Sequence, residues 1–142
     1  MERIGVAVLG ATGIVGQRFV ANLAEHPQFE IVALAASGRS AGKRYSEACT
    51  WRAGGTPYGG LSDMSVVEAS PEKAWAPIVF SALDAAVAAE IEPLFAASGA
   101  MVFSNASVFR MYSDVPLLVP EANSDHLALL DEQRRTRRWK GG

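Results

Sequence analysis

Gly10, Gly13 and Gly16 stand three residues apart, directly after the apolar run Ile4 to Leu9. Glycines so placed have separate tasks: one permits the tight turn out of a strand, one lets backbone lie against a phosphate, one lets a helix pack closely. We assign these tasks to Gly10, Gly13 and Gly16 in that order. From Ile14 to Ala24 the positions Val15, Phe19, Val20 and Leu23 follow helical spacing. The start of that helix would offer unpaired N–H groups and a positive dipole end to an anion. The spacing is G-x-x-G-x-x-G rather than G-x-G-x-x-G, but the strand before it and the helix after it supply the context of a pyrophosphate-binding turn. The plainer alternative is a strand-to-helix turn with no ligand.

A second set of residues lies about 20 positions further on, where a site for NAD carries an acid for the ribose 2′-hydroxyl. Here the strand Phe29 to Ala36 ends in Ala35-Ala36, and Ser37-Gly38-Arg39-Ser40-Ala41-Gly42-Lys43-Arg44 follows. Hydroxyls and cations suit a 2′-phosphate, because charge-assisted bonds to phosphate are strong. The residues therefore favour NADP, a solvated basic loop being the bland alternative. Cys49 lies between this loop and Trp51 and is read as structural. His26 and His126 are read as capping or surface residues, and no carboxylate pair or His/Cys/Asp/Glu cluster suggests a metal.

These residues need a scaffold, and the chain supplies one. Its 142 residues, 49% of them apolar and 20% charged, suit one soluble domain, residues 1–142. A net charge of −2 argues against a general nucleic-acid binder. No apolar stretch reaches the roughly 20 residues of a membrane span. A strand begins at once with no cleavable signal pattern, and the single cysteine suits a reducing cytoplasm.

Continuous apolar runs predict buried parallel strands at Ile4 to Leu9, Phe29 to Ala36, Ile78 to Ala82 and Ala100 to Phe103, with shorter ones at Ser65 to Glu68 and Leu117 to Val119. Residues 37–60 read as a long loop, with a short helix around Tyr45 to Trp51. A helix over Asp84 to Ser98 would be capped by Asp84, bury Val87, Ile91, Leu94 and Phe95, and kink or restart at Pro93. Another over Ser124 to Trp139 would be capped by Ser124 or Asp125, with Leu127, Leu129 and Leu130 inward. The alternation predicts an α/β, Rossmann-type doubly wound, mostly parallel sheet with its ligand at the carboxyl ends of the strands.

Several motifs recur in order: Gly10 to Gln17, Ala36 to Lys43, Phe80-Ser81-Ala82-Leu83-Asp84, Val102-Phe103-Ser104-Asn105-Ala106, Arg110-Met111, Asp114-Val115-Pro116-Leu117 and Pro120-Glu121-Ala122-Asn123. Together they resemble the aspartate-semialdehyde dehydrogenases of the archaeal and fungal type, over almost the whole chain. The resemblance implies a role for each motif. Thr12, Ile14 and Val15, with the glycines, would hold the pyrophosphate; Ser37, Arg39, Ser40 and Lys43 the 2′-phosphate. Ser81, Ala82 and Leu83 would form the turn that passes along the cofactor, and Ser104 and Asn105 would lie near the nicotinamide ribose. Arg110 would meet inorganic or acyl phosphate.

The resemblance further implies an NADP-dependent, phosphorylating oxidoreductase of lysine, threonine and methionine biosynthesis, acting on a small-molecule substrate and homo-oligomeric as a family. In that family a cysteine thiolate carries the acyl group. Its Asn-Cys motif, the general-base histidine and the substrate-carboxylate arginine have no counterpart among these residues, so the chain alone is expected to be inactive and to self-associate weakly. A reductase of N-acetylglutamyl phosphate or malonyl-CoA, or a non-catalytic NADP-binding module, remains an alternative.

Overall fold

A computed structural model describes residues 2–142. Its strands are Ile4–Leu9 (β1), Phe29–Ala36 (β2), Val66–Glu68 (β3), Ile78–Ser81 (β4) and Met101–Ser104 (β5). They form one sheet in the order β3-β2-β1-β4-β5, with every neighbouring pair parallel. The helices are Ile14–Leu23 (α1), Tyr45–Ala48 (α2), Pro71–Ala74 (α3), Ala85–Ala97 (α4), Pro120–Asn123 (α5) and Leu129–Arg137 (α6).

Alternate residues of a strand face opposite sides of a sheet, and here both sides are buried. Val6 and Val8 of β1 pack with Val20 and Leu23 of α1, Ile31 and Leu34 of β2, and Tyr45. Ala7 and Leu9 pack on the other side with Val79, Ala74 of α3 and Phe95 of α4. That two-sided burial explains why the strands read as unbroken apolar runs. The fold is the expected Rossmann-type doubly wound sheet.

Several local expectations are corrected. Leu117 to Val119 is not a strand: the Asn123 side chain accepts the Val119 N–H and donates to the Leu117 carbonyl, both at 2.7 Å, satisfying groups a neighbouring strand would have taken. The single helix over Ser124 to Trp139 is instead α5 with Pro120 in its first turn, a 3-10 segment over Ser124–Ala128, and α6. Neither Ser124 nor Asp125 caps it, Leu127 is exposed, and Arg138 ends it in the left-handed region at φ 56°. Helix α2 stops at Ala48, short of Trp51.

On α1, Val15 is exposed. On α4, Val87 and Leu94 are exposed, whereas Ala88, Glu92, Phe95 and Ala96 are buried, so the inward stripe is rotated from the expected one. Helix α4 runs through Pro93 unbroken, and Asp84 takes the N-cap position without a side-chain bond. His126 is not a plain surface residue: its Nδ1 is buried without a partner.

The last residues return to the sheet. The Gly142 N–H donates to the Ala100 carbonyl at 3.1 Å, and the Val102 N–H donates to the Gly142 carbonyl at 2.6 Å. This is the bonding pattern of a parallel bridge on the outer edge of β5.

Candidate functional site

Because every strand is parallel, the chain leaves each one at the same edge of the sheet. Leu9 pairs with Ala35 on one side and Ser81 on the other, and Ser81 pairs with Ser104. This register brings together the turns at Gly10, Ser37, Ala82 and Asn105. The strand order reverses between β1 and β4, where a doubly wound sheet opens a crevice for ligands. The turns on its two sides touch: a side-chain carbon on Gly10, whose φ is +73°, would come within 2.6 Å of the Ala82 carbonyl oxygen.

The three glycines differ physically. A carbon added at Gly16 would fall 2.0 Å from the Gly10 carbonyl oxygen, so Gly16 packs against the turn itself rather than simply against the sheet. At Gly13 φ is −79° and the nearest contact would be an ordinary 3.5 Å. The fold does not require glycine there; the room it leaves faces the start of α1. Gly13 is the N-cap of α1 and supplies no side chain to it. Among the described residues, the N–H groups of Thr12, Ile14 and Val15 have no acceptor. Unpaired amides at a helix start, beside a residue without a side chain, fit an anion.

Beyond β2, Ser37 to Arg44 forms successive turns closed by Ser40 N–H and Ala41 N–H to the Ser37 carbonyl and Lys43 N–H to the Ser40 carbonyl. Hydrogen bonds from the Gly42 N–H to the Val66 carbonyl and from the Val66 N–H to the Lys43 carbonyl moor this loop beside β3. Arg39 and Lys43 are exposed and make no ion pair among the described residues, whereas Arg44 lies 3.6 Å from Asp63. Two free cations therefore stand beyond β2, whose own end carries no acid; Glu68, opposite Ala36 on β3, is taken up by Lys73 at 2.8 Å.

On the other side of the crevice, the Ser81 side chain is fully buried with its hydroxyl unpartnered, so that residue offers its backbone to the turn. Its carbonyl accepts the Asn105 N–H at 2.9 Å. The Ser104 hydroxyl is engaged inward: it donates to Glu92 Oε1 at 2.5 Å and accepts the Ala106 N–H at 3.0 Å. Arg110 is exposed, and its guanidinium donates to the Asn105 carbonyl at 3.3 Å. It also borders a groove of about 320 Å³ between β5 and α6, together with Glu92, Phe103, Leu118, Leu130 and Trp139. Cys49 packs against the α1 side of the core, and burial pushes its thiol up. A raised thiol holds little thiolate at neutral pH, which suits a structural cysteine.

The sequence reading missed three buried polar residues behind the site: Gln17, Tyr45 and Glu92. Tyr45 donates to the Ala11 carbonyl at 2.6 Å, and Gln17 Nε2 donates to the carbonyls of Thr12 and Thr50, both at 3.1 Å. A polar Gln17 on the inward face of α1 was the available signal. Among the described residues no three His, Cys, Asp or Glu side chains gather as metal ligands, and no helix is long and apolar enough to cross a membrane.

The semialdehyde dehydrogenase family, NAD-binding domain, matches residues 5–130. The chain belongs to that family. An aspartate-semialdehyde dehydrogenase of Archaeoglobus fulgidus is 48% identical over 139 residues, covering 98% of this chain and 40% of the relative. A crystal structure of aspartate semialdehyde dehydrogenase with NADP from Candida albicans superposes with a TM-score of 0.86 at 44% identity, covering 95% of this chain and 38% of that one. Aspartate semialdehyde dehydrogenase II from Vibrio cholerae, complexed with ASA, gives 0.68 at 28% identity over 99% of this chain and 41% of that one. The chain thus spans about two-fifths of the relatives it matches. Its higher identity to the archaeal and fungal proteins agrees with the motifs that carried the resemblance.

Proposed function

We propose that this chain is the NADP-binding part of an aspartate-semialdehyde dehydrogenase, interconverting aspartyl phosphate and aspartate semialdehyde in amino-acid biosynthesis. The observation that carries the assignment is the set of unpaired amides at Thr12, Ile14 and Val15 beside the open Gly13. It lies at the reversal of strand order, with the free cations Arg39 and Lys43 one strand away. Amides and the α1 dipole neutralise a pyrophosphate; Arg39, Lys43, Ser37 and Ser40 hold a 2′-phosphate. The turn at Ala82 and Leu83 and the exposed Asn105 border the remainder of the dinucleotide. Bound NADP supplies the hydride chemistry, and this chain supplies orientation and charge.

Arg110 offers a cation for inorganic or acyl phosphate at the same edge of the sheet. The names and the 44–49% identities of the archaeal and fungal relatives support the aspartate substrate over a malonyl-CoA or N-acetylglutamyl-phosphate reductase. The apolar side chains exposed around α4, β5 and the loop before α5 support weak self-association, and a biosynthetic role supports a cytoplasmic location. A fluorescence titration with NADPH and NADH tests the cofactor assignment. Tighter binding of NADPH is expected; superimposable curves, or no binding of either, would remove it.

A further inference from the structure

Two consecutive carbonyls of the glycine loop are held from behind by side chains that never reach its open face. Tyr45, fully buried, donates its phenol to the Ala11 carbonyl at 2.6 Å, and Gln17, 2% exposed, donates to the Thr12 carbonyl at 3.1 Å. A planar trans peptide points its N–H opposite to its C=O. With the Ala11 carbonyl turned inward to Tyr45, the Thr12 N–H is turned outward, and it is one of the amides without an acceptor.

Gln17 is held in turn by the next segment: its Nε2 also donates to the Thr50 carbonyl, and its Oε1 accepts the Arg52 N–H at 2.7 Å. That segment follows the cationic loop directly. Tyr45 is the first residue after Arg44, and its N–H donates to the Met64 carbonyl at 2.9 Å. The residues from Tyr45 to Arg52 therefore join the two anion-binding elements. Burial pushes the Tyr45 phenol up, so it remains a donor throughout the working pH range.

We propose that Tyr45 and Gln17 are positioning residues for the dinucleotide, presetting the Thr12 amide before any phosphate arrives and tying the glycine loop to the loop of Arg39 and Lys43. The proposal deepens the NADP assignment and rests on it. Without the phenol, the Ala11–Thr12 peptide loses its buried partner and can rotate, and ordering it again must be supplied by binding.

The unmodified chain and Tyr45→Phe, both shown to be folded by circular dichroism and thermal melting, would be titrated with NADPH well below their melting points. The Thr12 amide resonance would be followed separately against inorganic pyrophosphate. About tenfold weaker NADPH binding is expected for Tyr45→Phe, the effect of one hydrogen bond, with the Thr12 amide saturating at higher pyrophosphate. Equal affinities and equal Thr12 responses in two folded proteins would overturn the proposal. A chain that ignores NADPH but whose Thr12 amide answers pyrophosphate in a Tyr45-dependent way would sink the NADP assignment and leave the positioning role standing. Silence toward both probes would remove both. Gln17→Met, of similar volume, supplies the NADPH comparison should Tyr45→Phe not fold, with about tenfold weaker binding expected and equal affinity overturning the proposal.

Discussion

Single residues at this site divide by whether the fold or the ligand needs them, and the glycines show the division best. A valine at Gly16 must displace the Gly10 carbonyl, 2.0 Å from its first carbon, so Gly16→Val should lose several kcal/mol of stability. At Gly13 the first side-chain carbon meets nothing closer than 3.5 Å, so Gly13→Val should melt within a few degrees of the unmodified chain yet bind neither cofactor well. Melting curves that ranked the two variants in the opposite order would show that the tasks are misassigned. Arg39 belongs with Gly13: exposed and unpaired, it has no structural bond to lose. Arg39→Ala should weaken NADPH by about 1.5–3 kcal/mol, the worth of a charged hydrogen bond, and leave NADH nearly unchanged. Parallel titrations would decide, and equal losses for both cofactors would place Arg39 away from the 2′-phosphate.

At the level of elements, Asp114 and Arg137 hold the long loop before α5 against α6. Their bonds are 2.5 and 2.9 Å, and the side chains are only 15% and 23% exposed. The Arg137 guanidinium holds the Asp114 carboxyl below its ordinary value. A lowered carboxylate pKa means that stability from the pair is fully present above the unfolded value of about 4 and is lost as pH falls through the lower folded value. Asp114→Asn should therefore cost about 1–3 kcal/mol near neutral pH, and its melting temperature should converge with that of the unmodified chain as pH falls below 4. A gap that stayed constant from pH 7 to 3 would show that the ionised carboxylate does not carry the loss. The same region marks the limit of what the sequence discloses. Strands β1, β2 and β4 and helix α1 were legible because burial on both faces leaves unbroken apolar runs and a helical face. The stretch from Leu117 to Trp139 was less so, because side-chain bonds such as those of Asn123 organise it, and they have no period. Gly10 and Arg39 could be singled out from spacing, whereas Tyr45 bonds to Ala11 and Gln17 to Thr50, across 34 and 33 residues, and left no motif.

The whole molecule sets unpaired loop amides near free cations and holds one cysteine. Cys49, its single cysteine, is half-buried and its thiol is raised, so it lacks the thiolate that a nucleophile needs. The purified 142-residue chain should bind NADP yet produce no NADPH absorbance from aspartate semialdehyde and phosphate. Turnover lost on Cys49→Ser would show that this cysteine is the nucleophile after all, and turnover that survived the change would reveal a different one. The molecule also exposes Val87, Leu94, Phe103, Met111, Leu117 and Leu127. Sedimentation velocity should show a coefficient that rises with concentration; a constant value up to high protein concentration would exclude association. The bonds between Gly142 and β5 carry a practical consequence for anyone handling the chain. Hydrogen-bond alternation turns the Ser104 N–H and the Val102 carbonyl to the same open edge, one step further along. A peptide fused directly after Gly142 should therefore meet that open rim and pair with it. An affinity tag placed there would compete for the groove beside Arg110, whereas a flexible glycine-serine spacer would let it leave. Faster hydrogen exchange at Ser104 in the spaced fusion than in the direct one would reveal the difference.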